Sequence, residues 1–278
     1  MNNLYNEFKN TLENIKNKKP IVHSITNYVT ANDCANICIA LEASPVMAQY
    51  IDEVEDIVCL ANSLVLNIGT ADLDMVKSMI VAGKKANERN IPVILDPVGA
   101  GASKFRYESI KKILDNVNIS VIKGNLAEIK TILGASIKNN KCIDSLESFN
   151  CFDDSEKEII KDLAKKLGCV IAITGKDDYI TDGNREFIIQ RGTKLLATIT
   201  GSGCMTATII GSFSGVCDDS FKSCVFGVLT MNIAGEIAER NLNTNEGSGM
   251  FKVKLIDAVN NINKIDNSFF EEGVKFND

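Results

Sequence analysis

The chain has 278 residues, of which 45% are hydrophobic and 24% are charged, and its formal net charge is −6. A chain of this length can bury one large core, and since no Gly-, Ser- or Pro-rich linker divides it, we predict a single domain over residues 1–278. Acidic and basic residues are interspersed without a basic run, which argues against a nucleic-acid partner.

The N-terminal residues 1–20 are polar and lack the apolar core of a secretory signal peptide. No later stretch approaches the roughly 20 unbroken apolar residues that a membrane-spanning helix needs, so we predict a cytoplasmic protein without a membrane partner. The nine cysteines are odd in number, form no CxxC pair and mostly have apolar neighbours. We therefore expect reduced thiols in the core and neither disulfides nor a zinc site.

Apolar, β-rich runs alternate with helical patterns along the chain, which predicts an α/β fold with a mostly parallel central sheet. Several of these runs are continuously apolar, as in strands that are buried on both faces. The candidate strands are residues 21–26, 64–68, 93–95, 119–122 and 170–174. The candidate helices lie near residues 32–41, 52–61, 72–88, 125–133 and 155–167.

The second half of the chain adds three further patterns. The polar segment 138–154 has no clear period and is predicted to be a surface connection. Residues 179–182 and 186–190 flank the pair Gly183-Asn184, which predicts a hairpin added to the sheet. From about residue 203 to residue 262 the pattern is helical almost throughout.

Glycine and polar residues follow four of the predicted strands, at the point where each strand ends. Ligands of open parallel sheets bind beyond the carboxyl ends of the strands. We therefore predict an active-site rim at this edge. The four segments are Asn67-Ile68-Gly69-Thr70, residues 96–101, Lys123-Gly124-Asn125 and Thr174-Gly175.

Several common catalytic motifs are absent from the sequence. It contains no GxxxxGK[ST] phosphate loop, no GxGxxG and no GxSxG. The single histidine, His23, lies within a predicted strand, and we interpret it as structural rather than catalytic. A Ser-His-Asp hydrolase therefore has little support.

The segment Thr200-Gly201-Ser202-Gly203-Cys204 directly precedes a helical run. Its two glycines allow backbone N–H groups to converge, and the helix start adds a positive dipole end that suits a phosphoryl group in transfer. A glycine turn that only begins a buried helix is the alternative. A cysteine at a helix start is also expected to have a lowered thiol pKa.

Two acidic residues of the rim allow both a structural and a metal-binding interpretation. Asn125 and Glu128 have the spacing of a helix capping box, and Asp96 could be a turn residue before Pro97. Alternatively, Asp96 and Glu128 support Mg²⁺, which usually takes one or two carboxylates together with waters and phosphate oxygens. Combined with the glycine turn, they favour a site for phosphoryl transfer.

Six motifs in order make the sequence resemble the hydroxyethylthiazole kinases of the ribokinase-like superfamily. The resemblance implies a three-layer α/β/α fold that phosphorylates 4-methyl-5-(2-hydroxyethyl)thiazole with ATP and Mg²⁺, a salvage step towards thiamine. It also implies a homotrimer whose active sites lie between subunits. The motifs are residues 23–48, DPVGAG (96–101), KGNLAEI (123–129), ITGKDDYITDG (173–183), TGSGCMTA (200–207) and FKVKLIDAV (251–259).

The same resemblance implies roles for ten residues. Cys204 falls where the wider superfamily has its catalytic Asp. The residues expected to bind the thiazole are Met47, Gly201, Asn27 and Val29. The residues expected to contact the nucleotide are Lys123, Thr174 and Gly203, and those expected to support Mg²⁺ are Asp96 and Glu128.

Three positions depart from the family pattern. Lys123 stands where the family usually has Arg, and Lys lacks the bidentate fork, so a looser nucleotide contact is expected there. Ser202 replaces the Thr of GTGC, and Met47-Ala48-Gln49 replaces a MAD or MAH triplet. Two other functions remain open: a pyrimidine or sugar kinase of the same fold, although such relatives place Asp at the position of Cys204, or a non-catalytic thiazole- or nucleotide-binding protein.

Overall fold

The computed structural model describes residues 2–136 and 153–277. Its strands and helices alternate over most of the chain. The strands are β1 (Ile21–Ile25), β2 (Ser44–Val46), β3 (Ser63–Asn67), β4 (Val93–Asp96), β5 (Val121–Gly124), β6 (Val170–Ile173), β7 (Asp178–Thr181), β8 (Glu186–Ile189) and β9 (Val274–Asn277).

The helices differ widely in length, from five residues to 21. Short 3-10 turns at Lys194–Thr198 and Ile262–Lys264 accompany them. The helices are α1 (Asn2–Lys18), α2 (Ala31–Ala40), α3 (Val54–Leu60), α4 (Leu73–Glu88), α5 (Lys104–Asn116), α6 (Leu126–Ser136), α7 (Asp154–Leu167), α8 (Ser202–Ser214), α9 (Ser220–Arg240), α10 (Ser248–Asn260) and α11 (Asn267–Glu271).

The strands form one sheet in the order β2-β1-β3-β4-β5-β6-β7-β8-β9. Every pairing from β2 to β6 is parallel, and those of β6 with β7, β7 with β8 and β8 with β9 are antiparallel. The predicted α/β class with a mostly parallel sheet is thus confirmed, as is the hairpin around Gly183-Asn184.

Helices cover both faces of this sheet and form two separate cores. Helices α1, α2 and α8 to α11 contribute to the core on one face, and α3 to α7 to the core on the other. Neighbouring residues of a strand, such as Leu64 and Val65 of β3, belong to opposite cores. Both faces of the inner strands are therefore buried, which explains their continuously apolar sequences.

Five elements of the structure were not predicted: α1, β2, α5, α11 and β9. The polar sequence of α1 conceals an apolar face, because Phe8, Leu12 and Ile15 follow helical spacing and are all buried.

The polar segment 138–154 was predicted to be a surface connection, and its residues 138–152 lie outside the described part of the chain. Its last two residues, Asp153 and Asp154, are the N-cap and the first residue of α7.

Helix α9 is the one described helix that is long and apolar enough to cross a membrane by length and composition alone. Of its most apolar window, 83% is buried inside the protein. It packs against α8 and α10 within the core. Its apolar composition is thereby accounted for by core packing.

Candidate active site

A cavity of about 1080 Å³ lies at the edge of the sheet where the parallel strands have their carboxyl ends. Its walls come from the ends of β4 and β5, the turn after β6, the segment after β8 and the start of α8. Such a position is the usual ligand site of an open parallel sheet. Seven of the ten residues singled out in the sequence line this cleft: Asp96, Lys123, Glu128, Thr174, Gly201, Gly203 and Cys204.

Asp96 ends β4 and is fully buried at the bottom of the cleft. Its Oδ2 accepts a hydrogen bond from Asn67 Nδ2 at 2.7 Å, because Asn67 and Asp96 are register partners on β3 and β4. Its Oδ1 faces Lys123 Nζ at 3.7 Å. Burial raises the pKa of Asp96 to about 6, against the opposing effect of the Lys123 ammonium.

Asn27, which follows β1, links this carboxylate to Cys204. Its Nδ2 donates to Asn67 Oδ1 at 2.9 Å and lies 3.4 Å from Cys204 Sγ. Its Oδ1 accepts from the backbone N–H and the hydroxyl of Thr30, both at 3.0 Å. Asp96, Asn67, Asn27 and Cys204 therefore form one continuous polar network beneath the cleft.

Asn67 is the member of this network to which the sequence analysis assigned no role. Besides Asp96 and Asn27, it holds the next loop, because its Oδ1 also accepts from Gly69 N at 2.9 Å. Its place in the predicted rim segment, residues 67–70, was the signal that could have identified it.

The glycine turn before α8 has a backbone shape that only glycine adopts readily. Gly201 is the N-cap of α8 with φ +88°, and a Cβ there would lie 2.7 Å from Thr30 Cγ2. A Cβ at Gly203 would lie 2.8 Å from Lys123 Nζ. The first N–H groups of α8 have no partner within the helix, so the turn offers backbone donors next to the Lys123 ammonium.

Cys204 lies in the first turn of α8 and is 8% exposed. The expectation of a lowered thiol pKa is wrong. Burial raises the pKa of Cys204, the Asp96 carboxylate raises it further, and hydrogen bonds and Lys123 oppose these effects only in part. Cys204 is therefore a neutral thiol at neutral pH, because burial and the Asp96 carboxylate outweigh the contacts that lower its pKa.

Glu128 does form the capping box with Asn125. Its Oε2 accepts from Asn125 N at 2.8 Å, and Asn125 Oδ1 accepts from Glu128 N at 3.0 Å. Its other oxygen accepts from Gly99 N at 2.9 Å, so the side chain also ties the loop after β4 to α6. The structural interpretation of Glu128 is confirmed, while its carboxylate still lines the cleft.

Met47 and Val29 do not line the cleft. Val29 follows β1 and Met47 follows the neighbouring β2, and their side chains are 55% and 37% exposed. Tyr28, Tyr50 and Ile51 in the same two loops are exposed as well. We call these five residues the apolar loop surface.

His23 lies beneath one of these loops. It is buried, its Nε2 contacts Ala48 O at 2.8 Å, and burial lowers its pKa. A neutral ring that donates to a backbone carbonyl next to Met47 supports the interpretation of His23 as a structural residue.

A second cavity, of about 890 Å³, lies at the opposite edge of the sheet. The charged side chain of Arg185 in its wall is already bound by Asp182 and Asp219. None of the ten residues singled out in the sequence lines it. Seven of the ten candidate residues thus line the first cleft, and none lines the second.

Comparisons with known proteins found relatives that match almost the whole chain. The model of the hydroxyethylthiazole kinase family matches residues 12–265. A hydroxyethylthiazole kinase of Alkaliphilus oremlandii is 51% identical over 263 residues, which cover 95% of this chain and 96% of that protein.

Two solved structures extend the likeness to the fold. That of hydroxyethylthiazole kinase protein from Pyrococcus horikoshii OT3 has a TM-score of 0.83 and 34% identity, and the match covers 98% of each chain. A ribokinase-like superfamily protein of Enterococcus faecalis has a TM-score of 0.64 at 13% identity, covering 88% of this chain and 86% of that one. This second likeness concerns the fold alone.

Proposed function

This chain belongs to the hydroxyethylthiazole kinase family, and we propose that the cleft at the carboxyl edge of its sheet is where it carries out phosphoryl transfer. It is a kinase that phosphorylates the hydroxyl of 4-methyl-5-(2-hydroxyethyl)thiazole with ATP, giving the monophosphate used in thiamine salvage. The observation that carries the placement is that Asp96, Lys123 and Cys204 converge at one glycine-rich helix start.

Positioning and charge stabilisation carry most of the catalysis of phosphoryl transfer. The backbone N–H groups at residues 201–204 and the Lys123 ammonium form the positive end of the cleft. We place the transferring phosphoryl group there, with Gly203 and Thr174 on the nucleotide side. Lys123 acts as a point charge, since it cannot provide the bidentate fork of an arginine.

Cys204 acts on the substrate hydroxyl in this proposal. Because its raised pKa keeps the resting thiol protonated, the sulfur mainly orients the substrate hydroxyl, and only the small thiolate fraction accepts the hydroxyl proton as the oxygen attacks. A neutral thiol also avoids placing a full negative charge next to the phosphoryl group. Asn27, at 3.4 Å from Cys204 Sγ, holds the sulfur towards Asp96.

The acidic residues of the cleft fit Mg²⁺ held together with phosphate. No cluster of three or more His, Cys, Asp or Glu side chains suited to a metal occurs in residues 2–136 and 153–277, so protein atoms alone do not form a cage. Asp96 Oδ1 is nevertheless buried without a hydrogen-bond partner, and the Glu128 charge is close enough to raise the pKa of Asp96. Mg²⁺ with one or two carboxylates, waters and phosphates would neutralise phosphate charge there.

We further propose that the active form is a cytoplasmic homotrimer with sites shared between subunits. Met47 and Val29 lie outside the cleft of their own chain, and the apolar loop surface that contains them is exposed. An exposed apolar surface of this kind suits a subunit contact. On this proposal the thiazole contacts Asn27 and Gly201 of one subunit and Met47 and Val29 of its neighbour.

The test is an ATP-consumption assay with three alcohols: the thiazole alcohol, a hydroxymethyl pyrimidine and ribose. We expect rapid turnover of the thiazole alcohol and identification of its monophosphate by mass spectrometry. Preferred turnover of the pyrimidine or ribose would instead support another kinase of this fold. Binding of thiazole or ATP without turnover, alongside an active control kinase, would support a non-catalytic binding protein.

A further inference from the structure

Asp178 is a buried carboxylate of the cleft that the proposed chemistry does not use. It is the first residue of β7, directly after the turn formed by residues 174–177, and it is 4% exposed. Its Oδ1 accepts from Gly175 N at 2.9 Å, and its Oδ2 accepts from Asn232 Nδ2 at 2.6 Å. One side chain thus joins this turn to α9.

Asn232 continues the connection to the opposite wall. A Cβ at Gly192, which has φ +120°, would lie 3.1 Å from Asn232 Oδ1, so the segment after β8 packs directly on this amide. One turn further along α9, Glu236 accepts from Gly192 N at 2.7 Å and pairs with Arg191 at 2.8 Å. Helix α9 therefore holds two segments of the cleft wall through side chains of fixed orientation.

A carboxylate suits this position for a specific reason. Both partners are donors, the backbone N–H of Gly175 and the Nδ2 amide of Asn232, and an ionised carboxylate can accept from both at once. An amide in its place would turn its own NH₂ group towards one of them. Burying a charge is unfavourable unless hydrogen-bond donors satisfy it. The two donors that satisfy Asp178 therefore have to stay in place, and this fixes the shape of the turn.

We propose that Asp178 and Asn232 are positioning residues that hold the turn at residues 174–177 in the shape that receives the nucleotide. The inference rests on the proposed function, which places ATP against Thr174. The Thr174 backbone is fixed on its other side by its N–H bond to Gly124 O at 2.9 Å. Loss of the Asp178 contacts would release the turn on one side only, so ATP binding would weaken more than folding.

The test measures ATP binding by calorimetry, together with the KM values for ATP and for the thiazole alcohol. Asp178→Ala removes two charge-assisted hydrogen bonds, and we expect the Kd for ATP to rise about ten- to a hundredfold. The KM for the thiazole alcohol should stay within about twofold, since this wall lies on the nucleotide side.

Thr181→Val is a matched control at the other end of the same strand. Thr181 is buried and also braces a turn, since it accepts from Gly183 N at 2.9 Å and donates to Arg185 O at 2.7 Å. It does not line the cleft. The substitution Thr181→Val should therefore lower the melting temperature without changing the Kd for ATP.

An exchange of the two side chains gives a second, independent measurement. Asn232→Asp alone places two carboxylates in contact and should weaken ATP binding strongly. When Asp178→Asn is added, the amide at position 178 can accept from Gly175 and donate to the carboxylate at position 232, so ATP binding should largely recover. This pair remains informative if Asp178→Ala does not fold.

Three outcomes would overturn the inference. Unchanged ATP binding by folded Asp178→Ala is one, and a double exchange no better than Asn232→Asp is another. The third is an equal rise in both KM values, which would mark the contact as general support for the fold. If the unaltered protein bound no ATP, the proposed nucleotide site itself would be wrong. If the unaltered protein bound ATP and the variants bound it equally well, only the inference about Asp178 and Asn232 would be wrong.

Discussion

At the scale of single residues, Cys204 poses the clearest chemical question. A free thiol has a pKa of about 8.5, and burial at the start of α8, together with the Asp96 carboxylate, raises the pKa of Cys204 further. We therefore expect the thiol to contribute mainly by orienting the substrate hydroxyl, with a general-base effect at the low end of the usual range.

We expect Cys204→Ala to lower kcat about 100-fold, near the low end of general-base contributions, and to leave a measurable rate from the backbone N–H groups and Lys123. Cys204→Asp should retain activity or increase it, since it supplies an ionised base at the same place. Steady-state kinetics with measured thiazole binding checks both. A trapped phosphocysteine would contradict the assigned role, as would Cys204→Asp being as slow as Cys204→Ala with binding unchanged.

Asp178 gives a prediction for stability against pH. Burial raises its pKa to about 6, whereas the same carboxyl in an unfolded chain titrates near 3.8. Between these values the folded state binds more protons than the unfolded state, so the contribution of Asp178 to stability falls as the pH rises. The difference between the two pKa values corresponds to about 3 kcal/mol.

Asp178→Asn removes this titration and provides the measurement. We expect the unfolding free energy of the unaltered protein, relative to that of the variant, to fall by about 2 kcal/mol between pH 4 and pH 7. Urea denaturation at four or five pH values measures it. A difference that stays constant over this range would show that Asp178 keeps an ordinary pKa in the folded protein.

At the scale of elements, Glu128 links the start of α6 to the loop after β4. Its two oxygens accept from Asn125 N and Gly99 N, so it is a helix cap and a loop tether at once. Asp96 accepts no backbone hydrogen bond at its free oxygen and lies deeper in the cleft. The capping role of Glu128 is therefore seen in its hydrogen bonds, whereas the metal-supporting role that we propose for both carboxylates has to be tested by substitution.

We expect Asp96→Asn to lower activity by roughly ten- to a thousandfold, in line with the loss of one electrostatic contribution, with partial recovery at high Mg²⁺. Glu128→Gln should lower activity in the same way and also lower the melting temperature, because an amide accepts at only one of its two ends. Kinetics at several Mg²⁺ concentrations and thermal denaturation separate these effects. Intact turnover with only a lower melting temperature would limit Glu128 to capping.

At the scale of the whole molecule, the apolar loop surface (Tyr28, Val29, Met47, Tyr50 and Ile51) is the feature that a single chain leaves unexplained. Its two loops follow the paired strands β1 and β2 and are therefore neighbours. Tyr28 is 81% exposed and Tyr50 72%. Large apolar side chains this exposed favour contact with another subunit.

We expect light scattering to give three times the mass of one chain. Tyr50→Asp places a charge in the apolar loop surface, so it should dissociate the trimer and abolish thiazole turnover while ATP still binds. Lys111→Glu, an exposed change on α5, is the control and should alter neither. A fully active monomer would contradict the shared site.

The sequence by itself determined most of the alternation of strands and helices, the hairpin and three of the four segments predicted to form the rim, because periodicity and turn residues act over a few positions. The fourth predicted rim segment, residues 67–70, does not line the cleft. The helical spacing of the apolar residues of α1 was also present in the sequence, but the polar composition of the segment hid it. The predicted surface connection at residues 138–152 falls outside the described residues. The single domain and the ten assigned roles remain predictions.

Only the tertiary structure decided which side chains meet. Asn27 reaches Cys204 across 177 positions, and Asp178 meets Asn232 across 54, through strand order and helix packing that no local pattern contains. Burial followed from the same packing: it raised the pKa of Cys204, which the helix start alone would have lowered, and that of Asp96. Desolvation depends on all the surrounding atoms of the folded chain, so the sequence specified these groups but not their protonation.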